Sequence, residues 1–213
     1  MIRTWLLATA TFLAGTTPLV AQTAFTTPYY PLNVGDKWTY RAIDLKAPAA
    51  KVDRFEKVVI EVERQDVYKY VKDKDEKAEN IGYILKNSSG GKTTRDYVIV
   101  LSDGVHRIHL AETPITPSLL FFKIVKGVNS WTVNSKTGNT EIKGMFSVRE
   151  EKVSVPAGKF DAFVASFTNE KKDKIERVEV DTWFAMDIGM VKQRTLQKGR
   201  ETALELESYV TKK

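Results

Sequence analysis

Short runs in which apolar and polar residues alternate follow one another along most of this chain. Val58, Ile60 and Val62 fall on one side of an extended segment, with Glu61 and Glu63 on the other. Val178, Val180 and Phe184 alternate with Glu179 and Asp181, and Leu204 and Leu206 with Glu205 and Glu207. A period of two marks strands with one buried face. The same segments are rich in β-branched and aromatic residues, which suit a pleated surface. No segment sustains apolar residues at the i, i+3, i+4 spacing of a helix. Lys72 to Glu79, dense in Lys, Asp and Glu, fits either a single helical turn or a solvated hairpin tip.

Turn signals separate the alternating runs. Asn87-Ser88-Ser89-Gly90-Gly91, Ser102-Asp103-Gly104, Lys136-Thr137-Gly138-Asn139 and Pro156-Ala157-Gly158 stand between them, and Asn169 to Lys174 forms a charged tip. Asp-Gly favours tight hairpins because both residues tolerate positive φ. Connections this short cannot hold crossover helices, so the strands run antiparallel. The spacing predicts about ten or eleven strands in an all-β, single-domain meander. Phe160, Ala162 and Val164 share one face of a strand and Phe163, Ala165 and Phe167 the other. That strand is expected to be covered on both sides, or to lie in a sheet curved around an interior.

The N-terminus reads differently. Arg3 precedes a charge-free apolar run from Trp5 to Ala14, and Pro18 to Ala21 form a small-residue cleavage region. This is the layout of a secretory signal peptide over residues 1–21, too short in its apolar part for a comfortable membrane span. An extended leader, 22–31, and one β-rich domain, 32–213, are expected to follow. No further apolar run is long enough to span a bilayer. The chain has no cysteine, which excludes disulfides and the acylation of a lipoprotein. A periplasmic or secreted address follows.

The formal net charge is +6, but the charges are interspersed, as in Lys171-Lys172-Asp173-Lys174-Ile175-Glu176-Arg177. A nucleic-acid reader would carry a clustered basic stripe, so no nucleic-acid partner is expected. His106 and His109 are the only histidines, and residues three apart on a strand point to opposite faces, so they do not chelate one metal. Gly90-Gly91-Lys92-Thr93 resembles the tail of a phosphate loop, but Lys86 stands where that motif needs its first glycine. No nucleophile elbow occurs, although sequence order alone never excludes a Ser-His-Asp arrangement. Glu150-Glu151 is a carboxylate pair of the kind glycosidases use, with the neighbours of an exposed strand end. Trp38, Trp131, Trp183, Phe121 and Phe122 are either core residues or the lining of a lipophilic or glycan site. Leu119-Leu120-Phe121-Phe122, the most apolar stretch after the leader, is a lip or a core strand. Asn87-Ser88-Ser89 matches an N-glycosylation acceptor, which matters only in a glycosylating host. No catalytic residue, metal ligand or cofactor emerges, and ligand-binding residues are left unassigned.

One faint echo joins Val34-Gly35-Asp36-Lys37-Trp38-Thr39-Tyr40 to Gly127-Val128-Asn129-Ser130-Trp131-Thr132-Val133, two similar turn-then-strand starts. Three longer blocks carry a resemblance. Tyr30-Pro31-Leu32-Asn33-Val34-Gly35-Asp36-Lys37-Trp38-Thr39-Tyr40 is followed by Val153-Ser154-Val155-Pro156-Ala157-Gly158-Lys159-Phe160-Asp161-Ala162 and then by Thr182-Trp183-Phe184-Ala185-Met186-Asp187-Ile188-Gly189-Met190-Val191-Lys192. In this order they resemble secreted bacterial β-rich proteins of the TapB-like or DUF3108-like kind. The resemblance implies an antiparallel β-meander, a curved half-barrel like those of periplasmic lipoprotein carriers, and no transferable active residues. The blocks also read as structure: Gly35 and Gly158 suit tight turns, and Trp38 and Trp183 suit core anchors.

The functional expectation is a non-enzymatic envelope binding module for a lipid or other apolar component. An accessory protein-interaction domain with a filled core, and a hydrolase acting on envelope polymers, are the alternatives.

Overall fold

The computed structural model of the chain describes residues 27–45, 56–72, 76–123, 129–170 and 176–212. The expected signal peptide and the leader as far as residue 26 lie outside these. Among the described residues there are twelve strands: β1 (Lys37–Asp44), β2 (Glu56–Val71), β3 (Lys77–Ser89), β4 (Lys92–Leu101), β5 (Gly104–Leu110), β6 (Thr113–Lys123), β7 (Ser130–Thr137), β8 (Thr140–Val155), β9 (Gly158–Asn169), β10 (Val178–Ala185), β11 (Gly189–Gln197) and β12 (Arg200–Val210).

Each strand pairs antiparallel with its chain neighbours, and β1 also pairs with β12, so the meander closes into a barrel. The expected all-β meander is therefore present, with two corrections. There are twelve strands rather than ten or eleven, and the sheet is closed rather than a half-barrel. Alternation assigns faces to a strand but says nothing of its partner. The closing ladder joins residues from opposite ends of the chain, with Trp38 opposite Tyr209 and Ala42 opposite Leu204.

The turn signals fall where strands reverse. Gly90, Gly91, Gly138 and Gly158 all have positive φ and sit in the hairpins β3–β4, β7–β8 and β8–β9. The phosphate-loop look-alike is thus a hairpin turn. Of the stretch Lys72 to Glu79, Lys77 to Glu79 belong to β3, and Lys72 and Glu76 are joined by a 2.9 Å backbone bond; residues 73–75 lie outside the described residues.

The interior is apolar and aromatic. Tyr40, Val62, Leu85, Val98, Val105, Phe122, Phe184 and Leu206 are buried within a single cluster. Strand β9 is covered on both faces, as its sequence implied: Phe163 and Phe167 contact rings of the interior, while Val164 on the opposite face is fully buried beside Trp183. A sheet of twelve strands encloses more space than its own side chains fill easily. Two devices fill it at one end. The turn of β8–β9 reaches across the barrel, where the Ala157 N–H donates to the Leu206 carbonyl at 2.9 Å. The segment before β1 also folds inward, placing Tyr29 edge-on to Phe163 at 4.8 Å and Tyr30 edge-on to Phe184 at 5.5 Å.

The three blocks of the resemblance converge on this plugged end. Trp38 Nε1 donates to the Ile188 carbonyl at 2.6 Å and the Tyr40 hydroxyl to the Met190 carbonyl at 2.8 Å. The Asp187 N–H donates to the Pro28 carbonyl at 2.6 Å. Gly189, at φ 94°, packs beside Pro31 and Trp38, in a conformation that favours glycine. The blocks thus build the closure of the barrel.

The outer face of β8 to β12 and β1 is charged. Arg194 bridges to Asp181 at 3.1 Å, and Arg41 and Lys192 both reach Glu205, at 2.6 and 3.1 Å. Burial opposes ionisation of Glu205, but the bonds from Arg41 and Lys192 outweigh it and hold the carboxyl below its usual value. A transmembrane barrel presents the reverse pattern, apolar outward and polar inward. No described helix is long and apolar enough to cross a membrane.

Candidate functional site

The candidate site is the end of the barrel opposite the plug. Inward positions of β6, β8, β9 and β10 leave a solvent-open cavity of about 320 Å³. Its wall is mainly apolar, formed by Leu119, Phe121, Ile142, Phe146, Phe167 and Val180. Thr182, Gln193 and Gln197 give it a polar side, and Gln193 donates to the Thr182 hydroxyl at 3.3 Å. Its volume lies near the lower end of the range for small-molecule sites, about 300–1,000 Å³. The turns β5–β6, β7–β8 and β9–β10 surround this end, as Leu110, Thr137, Thr140 and Asn169 in the lining show.

One charged side chain from β5, Arg107, joins the lining. It shares the inward face with Val105, pairing with Val98 while Val105 pairs with Val100. Its Nε is buried and makes no hydrogen bond. The Asp96 carboxylate, inward on β4, approaches only to 3.9 Å and accepts the Ala111 N–H at 2.8 Å. The guanidinium carbon lies 5.1 Å from the centre of the Phe121 ring, a cation–π contact. Behind Phe121, burial pushes the Tyr30 hydroxyl up to about 12, with Arg107 pulling down and Asp96 pushing up.

Of the aromatic residues singled out in the sequence, Phe121 lines the cavity, and Trp38, Trp131, Trp183 and Phe122 do not. Trp131 stacks on Phe146 at 5.3 Å and its Nε1 donates to the Leu120 carbonyl at 3.0 Å. Trp183 is buried against the outer charged face, its Nε1 donating to Glu151 at 3.2 Å and Lys192 lying 5.7 Å from its ring. The stretch Leu119 to Phe122 is both lip and core: Leu119 and Phe121 line the cavity, and Phe122 is buried at 3 % exposure.

The residues named for chemistry are scattered. Glu150 and Glu151 are successive on β8, so their side chains leave opposite faces. Glu151 is engaged by Arg149 and Trp183. A groove of about 410 Å³ passes both, with Lys152, Asp161 and Tyr29, and lacks an apolar wall like that of the barrel cavity. His106 and His109 do not part as the alternation predicted: a bulge between Arg107 and His109 resets it, and they pair with Ile99 and Tyr97, two residues apart on one face of β4. They still have separate surroundings, His109 lying 4.5 Å from the Tyr97 ring and His106 facing Ser118 and Asp103. Among the described residues no cluster of His, Cys, Asp and Glu could hold a metal ion.

Ser118, His106 and Asp103 form a hydrogen-bonded chain that their spacing in the sequence did not announce. Ser118 Oγ lies 3.2 Å from His106 Nδ1, and His106 Nε2 lies 3.0 Å from Asp103 Oδ1. The nitrogens are reversed relative to a serine hydrolase, where Nε2 meets the serine. Ser118 and His106 are buried, and neither lines the cavity or the groove described here. The chain ties β6, β5 and the β4–β5 turn together.

Sequence reasoning missed Arg107, Gln193 and Val180 as site residues. The available signal was Arg107 itself, a charge at an inward position in an otherwise apolar alternation.

Fold and site together define a class: a closed, outwardly charged antiparallel barrel, plugged at one end by its own N-terminal segment and open at the other onto an apolar cavity. The family described as DUF3108-like matches residues 128–205, a segment that takes in β7 to β11 and the first half of β12. Two of the three sequence blocks lie inside that match and the first lies before it. Among solved structures, the chain is similar to a candidate lipoprotein from Parabacteroides distasonis, at 10 % identity and a TM-score of 0.51, covering 89 % of this chain and 100 % of the other. It is also similar to a candidate exported protein with a YmcC-like fold from Bacteroides fragilis, at 14 % identity and a TM-score of 0.48, covering 87 % and 100 %. No curated protein matches the chain in sequence.

Proposed function

We propose that this protein is a non-enzymatic binding module of the bacterial cell envelope, exported by its N-terminal signal peptide, that holds a lipophilic ligand in the open end of its barrel. The observation that carries the reading is the solvent-open apolar cavity of about 320 Å³. Burying a chain there removes apolar surface from water, worth about 25 cal/mol per Å². The Parabacteroides neighbour's description as a candidate lipoprotein agrees with an envelope address, although this chain has no cysteine to acylate.

Native mass spectrometry of the protein purified from its own host, followed by solvent extraction, tests the reading. A co-purifying lipid near one per chain supports it. A clean apo mass together with no uptake of fluorescent fatty-acid probes overturns it.

One observation favours a second reading, an accessory protein-interaction domain. Strands β6 and β7 pair only through Ile115–Thr137 and Thr116–Lys136. Pro117 has no N–H to continue the ladder. Beyond these pairs the two strands do not continue their ladder, and apart from the Leu120 carbonyl, taken by Trp131, these edges could receive a partner strand. This reading gains if the apo protein takes up no probe but captures an extended peptide.

A further inference from the structure

Resting on the binding reading above, we infer that the ligand is a single-chain anionic amphiphile, its carboxylate or phosphate held by Arg107 and its chain lying along Phe121, Phe146 and Phe167.

The guanidinium of Arg107 borders an apolar cavity, and its buried Nε has no hydrogen-bond partner. An arginine carries five N–H donors in a planar fork that matches a carboxylate or phosphate edge. Leaving such donors unmade in a low-dielectric wall is costly, so proteins almost always pair them. The one carboxylate nearby does not meet this need. Asp96 Oδ1 accepts the Ala111 N–H, and Oδ2 stands 3.9 Å from Arg107 Nε, an ion pair near enough to orient the cation and too long for a hydrogen bond. The contact of the guanidinium with the Phe121 ring, 5.1 Å from its centre, restrains the side chain further.

The other charged groups of the lining, Glu141 and Lys143, flank Ile142 in the first turn-proximal residues of β8. An entering anion therefore passes a mixed rim before it reaches Arg107. The volume suits one chain rather than two. Headgroup chemistry is shared by fatty acids and by monoacyl phosphates, and the test separates them.

Isothermal titration of the purified protein uses dodecanoate, dodecyl phosphate and dodecanol below their micellar concentrations, with acetate and inorganic phosphate as heads without chains. The expected result is that one or both anionic amphiphiles bind at least about tenfold more tightly than dodecanol, the scale of a charge-assisted hydrogen bond. Which of the two binds more tightly assigns the head. Arg107→Gln should erase the preference and leave dodecanol within about twofold of its wild-type affinity. Asp96→Asn, which keeps Arg107 and removes its neighbouring negative charge, should enlarge the preference and serves if Arg107→Gln does not fold. Equal binding of acid and alcohol, or a preference that survives Arg107→Gln, overturns the inference while leaving the apolar cavity as a binding site. Inorganic phosphate binding as tightly as dodecyl phosphate also overturns it. If no chain-bearing probe binds, the binding reading itself falls.

Discussion

The carboxylate of Asp36 accepts the backbone N–H of Lys212 at 2.6 Å, joining residues 176 positions apart. Its second oxygen accepts the Asn33 N–H at 2.8 Å, and the Asp36 side of the clasp is fully buried. Backbone groups of Asp36 and Val62 are also bonded at 2.9 Å, so β2 is tied to the same point. One aspartate thus pins the N-terminal turn and the C-terminal end of the barrel. Asp36→Ala leaves at least two amide donors without an acceptor. It should cost about 3 kcal/mol or more, read as a shift of the urea midpoint at constant slope. Asp36→Asn keeps one carbonyl oxygen and should cost less. Equal stability of the alanine variant and the wild type would show that the clasp is incidental.

The parts of the fold that were legible in the sequence are those that depend on neighbours in the chain. Gly104 and Gly90-Gly91 mark turns because φ is positive there, and φ is a local property. Val178, Val180 and Phe184 mark an inward face because strand side chains alternate. Closure was not legible, because Asp36 with Lys212, Trp38 with Ile188 and Tyr29 with Phe163 are partnerships that no local pattern encodes. The cavity was legible only in Leu119 and Phe121. An apolar residue lining a void and one packed against a neighbour look alike in a sequence, and Phe121 and Phe122 took opposite parts.

His109 gives the protein a pH dependence. Burial lowers its pKa, and its Nδ1 has no hydrogen-bond partner among Tyr97 and the residues around it. In the unfolded chain the imidazole takes up a proton near its ordinary value of about 6.5, whereas in the folded chain it resists. The unfolded state then binds more protons, and stability falls as pH drops below that value, down to the folded pKa. Urea midpoints measured from pH 7.5 to 5 should decline, and His109→Gln should flatten the decline over that window. A wild-type curve that is level from pH 7.5 to 5.5 would contradict this assignment.

The Ser118–His106–Asp103 chain is expected to be structural. A fluorophosphonate probe should leave the folded protein unlabelled, since Ser118 is buried and meets Nδ1 of His106. Ser118→Ala should cost about 1 kcal/mol, the worth of one hydrogen bond, with ligand uptake unchanged. A mass increase at Ser118 that disappears in His106→Ala would instead reveal a nucleophile and revive the hydrolase alternative.

Gly82 tests how the outer part of hairpin β2–β3 is held. Beyond Gly82 the hairpin pairs only with itself, from Val67–Ile81 to Val71–Lys77. Tyr68 and Tyr70 nevertheless pack with Ile99 and Ile108 in a second small core. Tyr68 lies over Gly82: a Cβ there would sit 2.7 Å from the ring and 2.9 Å from Ile99. An aromatic covering a cross-strand glycine is a recognised way of sealing such a gap. Gly82→Ala should therefore lift the hairpin and cost about 1–3 kcal/mol by overpacking. Amide exchange over β2 and β3 should rise beyond residues 67 and 81 while exchange at Tyr40 and Leu206 stays slow. Uniform acceleration over the whole barrel would show instead that the second core is cooperative with the first.

Occupancy of the cavity can be separated from any surface binding by filling it. Val180 faces inward on β10, opposite Phe167, and lines the cavity, while the adjacent Glu179 faces outward. Val180→Phe adds a ring to a space of about 320 Å³, and some of that ring has free volume to enter. The stability cost should stay below the about 1–3 kcal/mol of overpacking in a filled core. Uptake of a fluorescent fatty acid should fall at least about tenfold, because the chain loses apolar wall along Phe167. Glu179→Gln, one residue away on the other face, should leave uptake unchanged. If the two variants bind the probe alike, the chain is not inside the barrel, and the edges of β6 and β7 beyond their short ladder become the surface to examine.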